Sequence, residues 1–242
     1  METKQQFIQF ANYCDTTLNL NEQLVKNNRQ DPNLSFYKSL PLCIIDAVYS
    51  IGVKYTSVER ATNSFLRCFN LNIEKGTDSK TEYTIDNFIT DMNTFSTFED
   101  AAINGFNNKQ RTSSVNGILK AEACFRVAKA FKKHGINTLN DFNTYSNKQK
   151  LDIDILSVKG QGSGIMLKYL YMLAGNDNVI KPDRHMVNFI KGVFPHITIG
   201  QKDHNEIAEI ITESTKILTE KYAQLTPRFL DYLIWEYMKQ LN

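Results

Sequence analysis

Two short stretches carry residue types whose spacing can do chemistry. The first, Lys159-Gly160-Gln161-Gly162-Ser163-Gly164, puts three glycines into five positions between two helical patterns. Glycine takes positive φ without a Cβ penalty and leaves the turn surface bare. Backbone N–H groups of the turn and of the following helix N-terminus can then meet a phosphate closely. Such a contact reads nucleic-acid backbone, not base sequence. The same pattern equally makes a tight turn between helices, with glycine used for geometry alone. It is not a dinucleotide fingerprint, since no strand pattern precedes it. The second stretch follows about twenty residues later, where Lys181-Pro182-Asp183-Arg184-His185 sets a carboxylate at the opening of a helix. Pro182 fixes the backbone there, and Asp183 falls at the N-cap or first turn, a place that favours negative charge. A carboxylate fixed in this way can stabilise the oxocarbenium-like charge that grows on a sugar as its N-glycosidic bond breaks, or orient the attacking water. Its other use is a plain helix cap, worth about 1 kcal/mol.

The elements that must hold these residues are helical nearly everywhere. Apolar residues at three- and four-residue steps predict helices over residues 2–26, 40–51, 57–69, 84–92, 98–104, 118–133, 139–145, 148–155, 164–174, 182–191, 204–222 and 226–237. No strand alternation survives beyond about five residues, so the predicted class is all-α. With 242 residues, 42% of them hydrophobic, and with 15 Phe and 11 Tyr, the chain has core enough for one large or two modest domains, which excludes general disorder. No apolar run nears the roughly 18 residues of a membrane span. The opening METKQQFIQFANYC has no basic region followed by a long apolar stretch, so a cytoplasmic protein is expected, nucleoid-associated in a prokaryote, with no membrane partner. Cys14, Cys43, Cys68 and Cys124 lie far apart among apolar neighbours and are expected to be small buried hydrophobes.

The net charge of +2 hides a polarity along the chain. Residues 69–106 hold seven acids against two lysines, a balance of −5, whereas residues 107–170 hold eleven Lys and Arg against four acids, +7. A positive stretch of that kind either attracts a polyanion such as nucleic acid or is a solvated lysine-rich face.

Four ordered segments together resemble the helix-hairpin-helix DNA glycosylase superfamily, the fold of endonuclease III and its relatives. LPLCIIDAVYSIGVKYTSVERAT, residues 40–62, is similar to the family's early buried helix, its substrate-facing loop and the next helix. Residues 116–131 are similar to the helix that precedes the hairpin. Val158-Lys159-Gly160-Gln161-Gly162 stands where the family has Leu-Pro-Gly-Val-Gly, and Pro182-Asp183-Arg184-His185 where it has Val-Asp-x-His. The resemblance implies a two-lobed all-α fold, with a six-helix barrel lobe over residues 40–166 that ends in the hairpin. Residues 1–39 plus 167–242 form the second helical lobe. It implies a base-excision DNA repair hydrolase, a DNA glycosylase acting as a monomer on duplex DNA with a damaged or mismatched base. Asp183 takes the place of the catalytic aspartate. DNA-binding residues are expected at Lys159, Gly160, Gln161, Gly162, Ser163 and Gly164, the glycines through their backbone amides. Lys54, Tyr55, Arg111 and Arg184 add phosphate or stacking contacts. The family's hairpin can hold a monovalent cation, sodium or potassium, through carbonyls; no other metal or cofactor is implied.

Three departures from the family pattern shape the expected activity. Bifunctional members place a lysine nucleophile two residues after the hairpin's second glycine, and this chain has Gly164 there. Monofunctional hydrolysis without lyase chemistry is therefore expected. No cysteine follows Cys124, so the C-terminal iron–sulfur cluster of some relatives is not expected. The loop Ser50-Ile51-Gly52-Val53-Lys54-Tyr55 lacks the glutamine that fills the gap left by a flipped base. These losses leave a second reading open, a catalytically silent helix-hairpin-helix nucleic-acid-binding module. A helical protein-interaction scaffold, the third reading, predicts no salt-dependent DNA affinity.

Overall fold

In the computed structural model, which describes residues 2–27, 37–73, 82–195 and 204–241, periodic apolar positions become helix, and among those residues no strand forms beyond one Arg111–Leu119 bridge. The fold is all-α. In chain order the described helices are α1 (Glu2–Thr17), α2 (Leu20–Asn27), α3 (Leu40–Tyr49), α4 (Tyr55–Cys68), α5 (Ile85–Met92), α6 (Phe98–Asp100), α7 (Lys120–Lys133), α8 (Leu139–Thr144), α9 (Lys148–Leu156), α10 (Ile165–Leu173), α11 (Arg184–Val193), α12 (His204–Thr219) and α13 (Pro227–Gln240). A π turn, Ala101–Gly105, continues α6. Local chemistry fixes several starts. Thr84 with Asn87 and Thr138 with Asp141 form capping boxes at α5 and α8, and Thr226 accepts from the Phe229 N–H just ahead of Pro227.

The chain divides into two units, each with its own apolar core. Phe36–Ala174 is centred on α3, all ten of whose residues are buried, and α4, α7 and α10 pack around that helix. Phe65 of α4 stacks on Phe106 beyond the π turn with ring centroids 4.8 Å apart, and Phe131 meets Phe142 edge-on at 5.2 Å. Each such ring contributes roughly 1.5–3 kcal/mol by leaving water. The other unit joins Met1–Ser35 to Gly175–Asn242, with α1 against α12 and α11 against α13. Phe10 and Tyr13 of α1 meet Phe189 of α11 at 5.9 and 5.3 Å. Lys221 and Tyr222 donate to Asp15 at 2.8 and 2.6 Å, and Ser214 donates to the Phe7 carbonyl at 3.1 Å.

Two expectations need correction. The helix expected over residues 2–26 is two helices, because Asn19 takes φ 50°, a left-handed conformation that asparagine tolerates and that ends α1. Cys68 is exposed, unlike the other three cysteines, because it is the last residue of α4 and the buried part of its stripe, Val58, Ala61 and Phe65, ends one turn earlier. Four charged residues of the acidic stretch, Glu74, Lys75, Asp78 and Lys80, lie outside the described residues. No described helix is long and apolar enough to cross a membrane.

Candidate functional site

In the Phe36–Ala174 unit, α9 and α10 are joined by a turn over residues 157–164. The Gln161 N–H donates to the Val158 carbonyl at 2.9 Å, the Gly164 N–H to the Gln161 carbonyl at 3.0 Å, and the Lys168 N–H to the Gly164 carbonyl at 3.0 Å, which opens α10. Gly160 and Gly164 hold φ of +89° and +74°, conformations that cost any residue with a Cβ. Gly160, Gly162 and Ser163 are exposed, and their amides have no acceptor among the described residues. Three exposed residues with unbonded amides ahead of a helix suit an anion. The Gly164 and Gln161 amides are spent inside the turn and Gln161 is 3% exposed, whereas the Ser163 amide has no acceptor among the described residues.

The loop carrying Arg111 seats directly on this turn. A Cβ built on Gly160 would lie 2.3 Å from both Cβ and Oγ1 of Thr112. The loop is closed by Thr112 N–H to the Ile118 carbonyl at 2.9 Å and Lys120 N–H to the Gln110 carbonyl at 2.8 Å. Exposed Arg111 uses one guanidinium N–H on the Gly117 carbonyl at 2.8 Å. The loop also reaches the first turn of α4, where Asn108 Nδ2 donates to Ser57 Oγ at 3.4 Å. The structure thus links the hairpin, Arg111 and the start of α4, where Lys54 and Tyr55 stand. Lys54 is exposed at the N-cap position. Tyr55 is half-buried, and its hydroxyl donates to Asp46 Oδ2 at 3.0 Å, alongside that of Tyr37 at 2.9 Å. Burial, reinforced by the Asp46 charge, pushes the Tyr55 hydroxyl above the ordinary tyrosine range.

Lys120, which sequence reasoning counted only as charge, is 2% exposed and donates to the carbonyls of Tyr49 and Ile51, both at 2.9 Å. It closes the C-terminal end of α3 and fixes the loop that leads to Lys54. Lys120→Met is expected to cost about 2–3 kcal/mol, because two buried carbonyls lose a charged donor, and thermal unfolding should show a midpoint lower by roughly 5–10 °C. The +7 stretch is therefore less bare than its sum. Arg126 pairs with Glu122 at 2.6 Å, Lys132 with Asp86 at 2.7 Å and Lys133 with Asp154 at 2.8 Å, while Lys109, Lys129, Lys150 and Lys159 are exposed. Lys168, one turn into α10, is half-buried, and burial draws its ammonium below the ordinary lysine range.

A monovalent cation at the hairpin would take oxygen donors. Gln161 Oε1 and Thr112 Oγ1 are buried oxygens with no hydrogen-bond partner among the described residues, while the Val158, Gln161 and Gly164 carbonyls each accept a backbone N–H. Among the described residues no three of His, Cys, Asp and Glu converge to hold a metal.

In the other unit, Asp183 is the N-cap of α11. Its Oδ1 accepts from the His185 and Met186 N–H groups at 2.8 and 3.3 Å, and its own N–H donates to the Lys181 carbonyl at 2.7 Å. The side chain is half-buried, and Oδ2 has no hydrogen-bond partner among the described residues. One oxygen caps the helix and the other carries no hydrogen bond among the described residues. Arg184 is exposed in the first turn of α11. Asp231 of α13, another residue that sequence reasoning passed over, lies within the electrostatic reach of Asp183 and is 5% exposed.

The profile of a family described as "Domain of unknown function (DUF8548)" matches residues 16–239. No curated protein and no solved structure matches the chain.

Proposed function

We propose that this chain, which belongs to the DUF8548 family, binds duplex DNA and hydrolyses the N-glycosidic bond of a flipped damaged or mismatched base. The reading includes a helix-hairpin-helix DNA glycosylase-like fold with residues 40–166 as its barrel lobe, and a monomer as the acting species. The observation that carries it is the exposed, unbonded amides of Gly160, Gly162 and Ser163 in the turn on which the Arg111 loop packs. The amides and the Arg111 and Lys159 side chains take backbone phosphates. As the bond breaks, its electron pair leaves with the base nitrogen and positive charge grows on the sugar. Asp183, held through Oδ1 by two backbone N–H groups, faces that charge with Oδ2, and accepts the proton of the water whose oxygen joins C1′. No lysine intermediate forms in this reading, since position 164 is glycine.

The test is a panel of lesion-bearing and mismatched duplexes, read for alkali-labile sites and for affinity across a salt series. Base release from at least one duplex is expected, with a log–log salt slope of about −2.7 to −4.5 for roughly three to five phosphate contacts. Salt-dependent binding with no base release on any duplex would make the protein a binding module. Absence of duplex binding would end both readings.

A further inference from the structure

The ends of α7 and α8 meet the second half of α9 at a histidine, a tyrosine and an aspartate that the scheme above leaves unused. Gly135, with φ +70°, stops α7 and makes His134 its C-cap; Tyr145 is the C-cap of α8, and Asp154 lies in α9. The Phe131–Phe142 contact holds α7 against α8. His134 Nε2 lies 2.6 Å from Asp154 Oδ2, and its Nδ1 lies 2.8 Å from the Tyr145 hydroxyl. The two rings meet edge-on with centroids 5.7 Å apart. A carboxylate can only accept, so the neutral imidazole carries its proton on Nε2, and Nδ1 accepts from the phenol. The imidazole is shielded, with 11% of its side chain exposed. Tyr145 is half-buried between exposed Thr144 and Ser146. Lys133 also pairs with Asp154 at 2.8 Å, and hydrogen bonds from Lys133 and His134 hold that carboxyl below the usual carboxylate range.

We propose that Tyr145, His134 and Asp154 act as nucleophile, base and orienting group, a second reactive site that takes acyl groups from aryl esters and thioesters. Each role has its hydrogen bond: the nucleophile meets the base at 2.8 Å, and the base meets the orienting carboxylate at 2.6 Å. In the first step Tyr145 Oη bonds to the carbonyl carbon and its proton passes to His134 Nδ1. The aryloxide or thiolate leaves with the electron pair of the broken bond, while Asp154 steadies the imidazolium through Nε2–H. The imidazolium then gives its proton to the departed anion. In the second step His134 takes a proton from water as the water oxygen joins the acyl carbon, and returns it to Tyr145 Oη as the acyl–tyrosine bond breaks. The donor class follows from the phenol. A free phenol, with a pKa of about 10, leaves about as readily as a free thiol, with a pKa of about 8.5. Transfer from an aryl ester or thioester is therefore close to level, whereas transfer from an alkyl ester or an amide runs uphill. The site draws on no nucleic-acid contact, so it stands apart from the function proposed above.

4-Nitrophenyl acetate and S-acetyl-N-acetylcysteamine test the site on the full chain, with peptide mass spectrometry locating each acetyl group over time. With either donor, acetyl is expected on Tyr145 about tenfold or more faster than on Tyr13 and Tyr237, half-buried tyrosines packed on Phe189 instead of on a histidine. Ethyl acetate is expected to leave Tyr145 unmodified. His134→Gln and Asp154→Asn are each expected to slow acetylation of Tyr145 by about tenfold or more, and Tyr145→Phe to abolish the fast phase of 4-nitrophenolate release. A merely structural histidine would leave the labelling rate of Tyr145 level with that of Tyr13. If His134→Gln does not fold, the ratio of Tyr145 to Tyr13 labelling in the wild-type chain decides alone. Even labelling of the three tyrosines by either donor, or fast labelling of Tyr145 that survives in a folded His134→Gln, overturns the proposal.

Discussion

Asp183→Asn is expected to slow base release by about 10²–10⁴-fold, equivalent to roughly 3–5.5 kcal/mol of barrier, while duplex affinity stays within about twofold. The asparagine oxygen can take the same His185 and Met186 N–H bonds that Oδ1 takes now, and asparagine caps a helix as well as aspartate does. Only the charge is removed. The melting midpoint is expected to stay level, because asparagine keeps the helix cap. Asp183→Ala removes cap and charge together and should lose about a further 1 kcal/mol of stability. Single-turnover base release, duplex anisotropy and thermal unfolding on the three proteins separate these effects. Base release unchanged in the asparagine variant would leave Asp183 as a helix cap and nothing more.

Gly160→Ala is expected to be the most damaging single methyl addition in the hairpin, costing about 2–5 kcal/mol and at least tenfold in duplex affinity. Two costs add. At φ +89° any Cβ is strained, and this one would stand 2.3 Å from the stiff Cβ of Thr112. Either the turn rotates its amides or the Arg111 loop lifts away. Gly162→Ala is the control, since its added Cβ meets only the Leu156 carbonyl at 3.9 Å and its φ is ordinary. It should leave stability within about 1 kcal/mol. Thr112→Gly combined with Gly160→Ala relieves the collision but not the strained φ, so the double variant should recover part of the loss. Equal effects of alanine at 160 and 162, by unfolding and by anisotropy, would refute this account of the turn.

Much of the fold was legible because apolar periodicity writes helices directly. The Thr226-Pro227 start, the Asp183 cap and the turn between α9 and α10 all lie where local residue chemistry puts them. The break at Asn19 was not legible, because its neighbours continue a helical pattern and only the backbone of one asparagine departs. The candidate site was legible where it depends on a short run of residues. It was illegible where it depends on one charge set among apolar residues. Asp46 in LPLCIIDAV, Lys120 at the head of the buried face of α7, and Asp231 in PRFLDYLIW share that signature. Each occupies a register that periodicity assigns to the core, and each is buried. A lone ionisable residue at such a register costs too much to be incidental and was the available signal. Its hydrogen-bonding neighbours, the Tyr37 and Tyr55 hydroxyls or the Tyr49 and Ile51 carbonyls, come from other segments, and helical period does not announce them.

The unit assembled from both ends of the chain has a consequence for synthesis on the ribosome. Asp15 waits for Lys221, a separation of 206 residues, which at roughly 5–20 residues per second is a delay of about 10–40 s. During that interval the apolar side of α1, with Phe10 and Cys14 among it, has emerged without the helices that cover it. The contiguous Phe36–Ala174 unit meets no such delay. Nascent chains stalled before α12 should therefore recruit trigger-type chaperones through their first seventeen residues, and release them only once translation has delivered the tail.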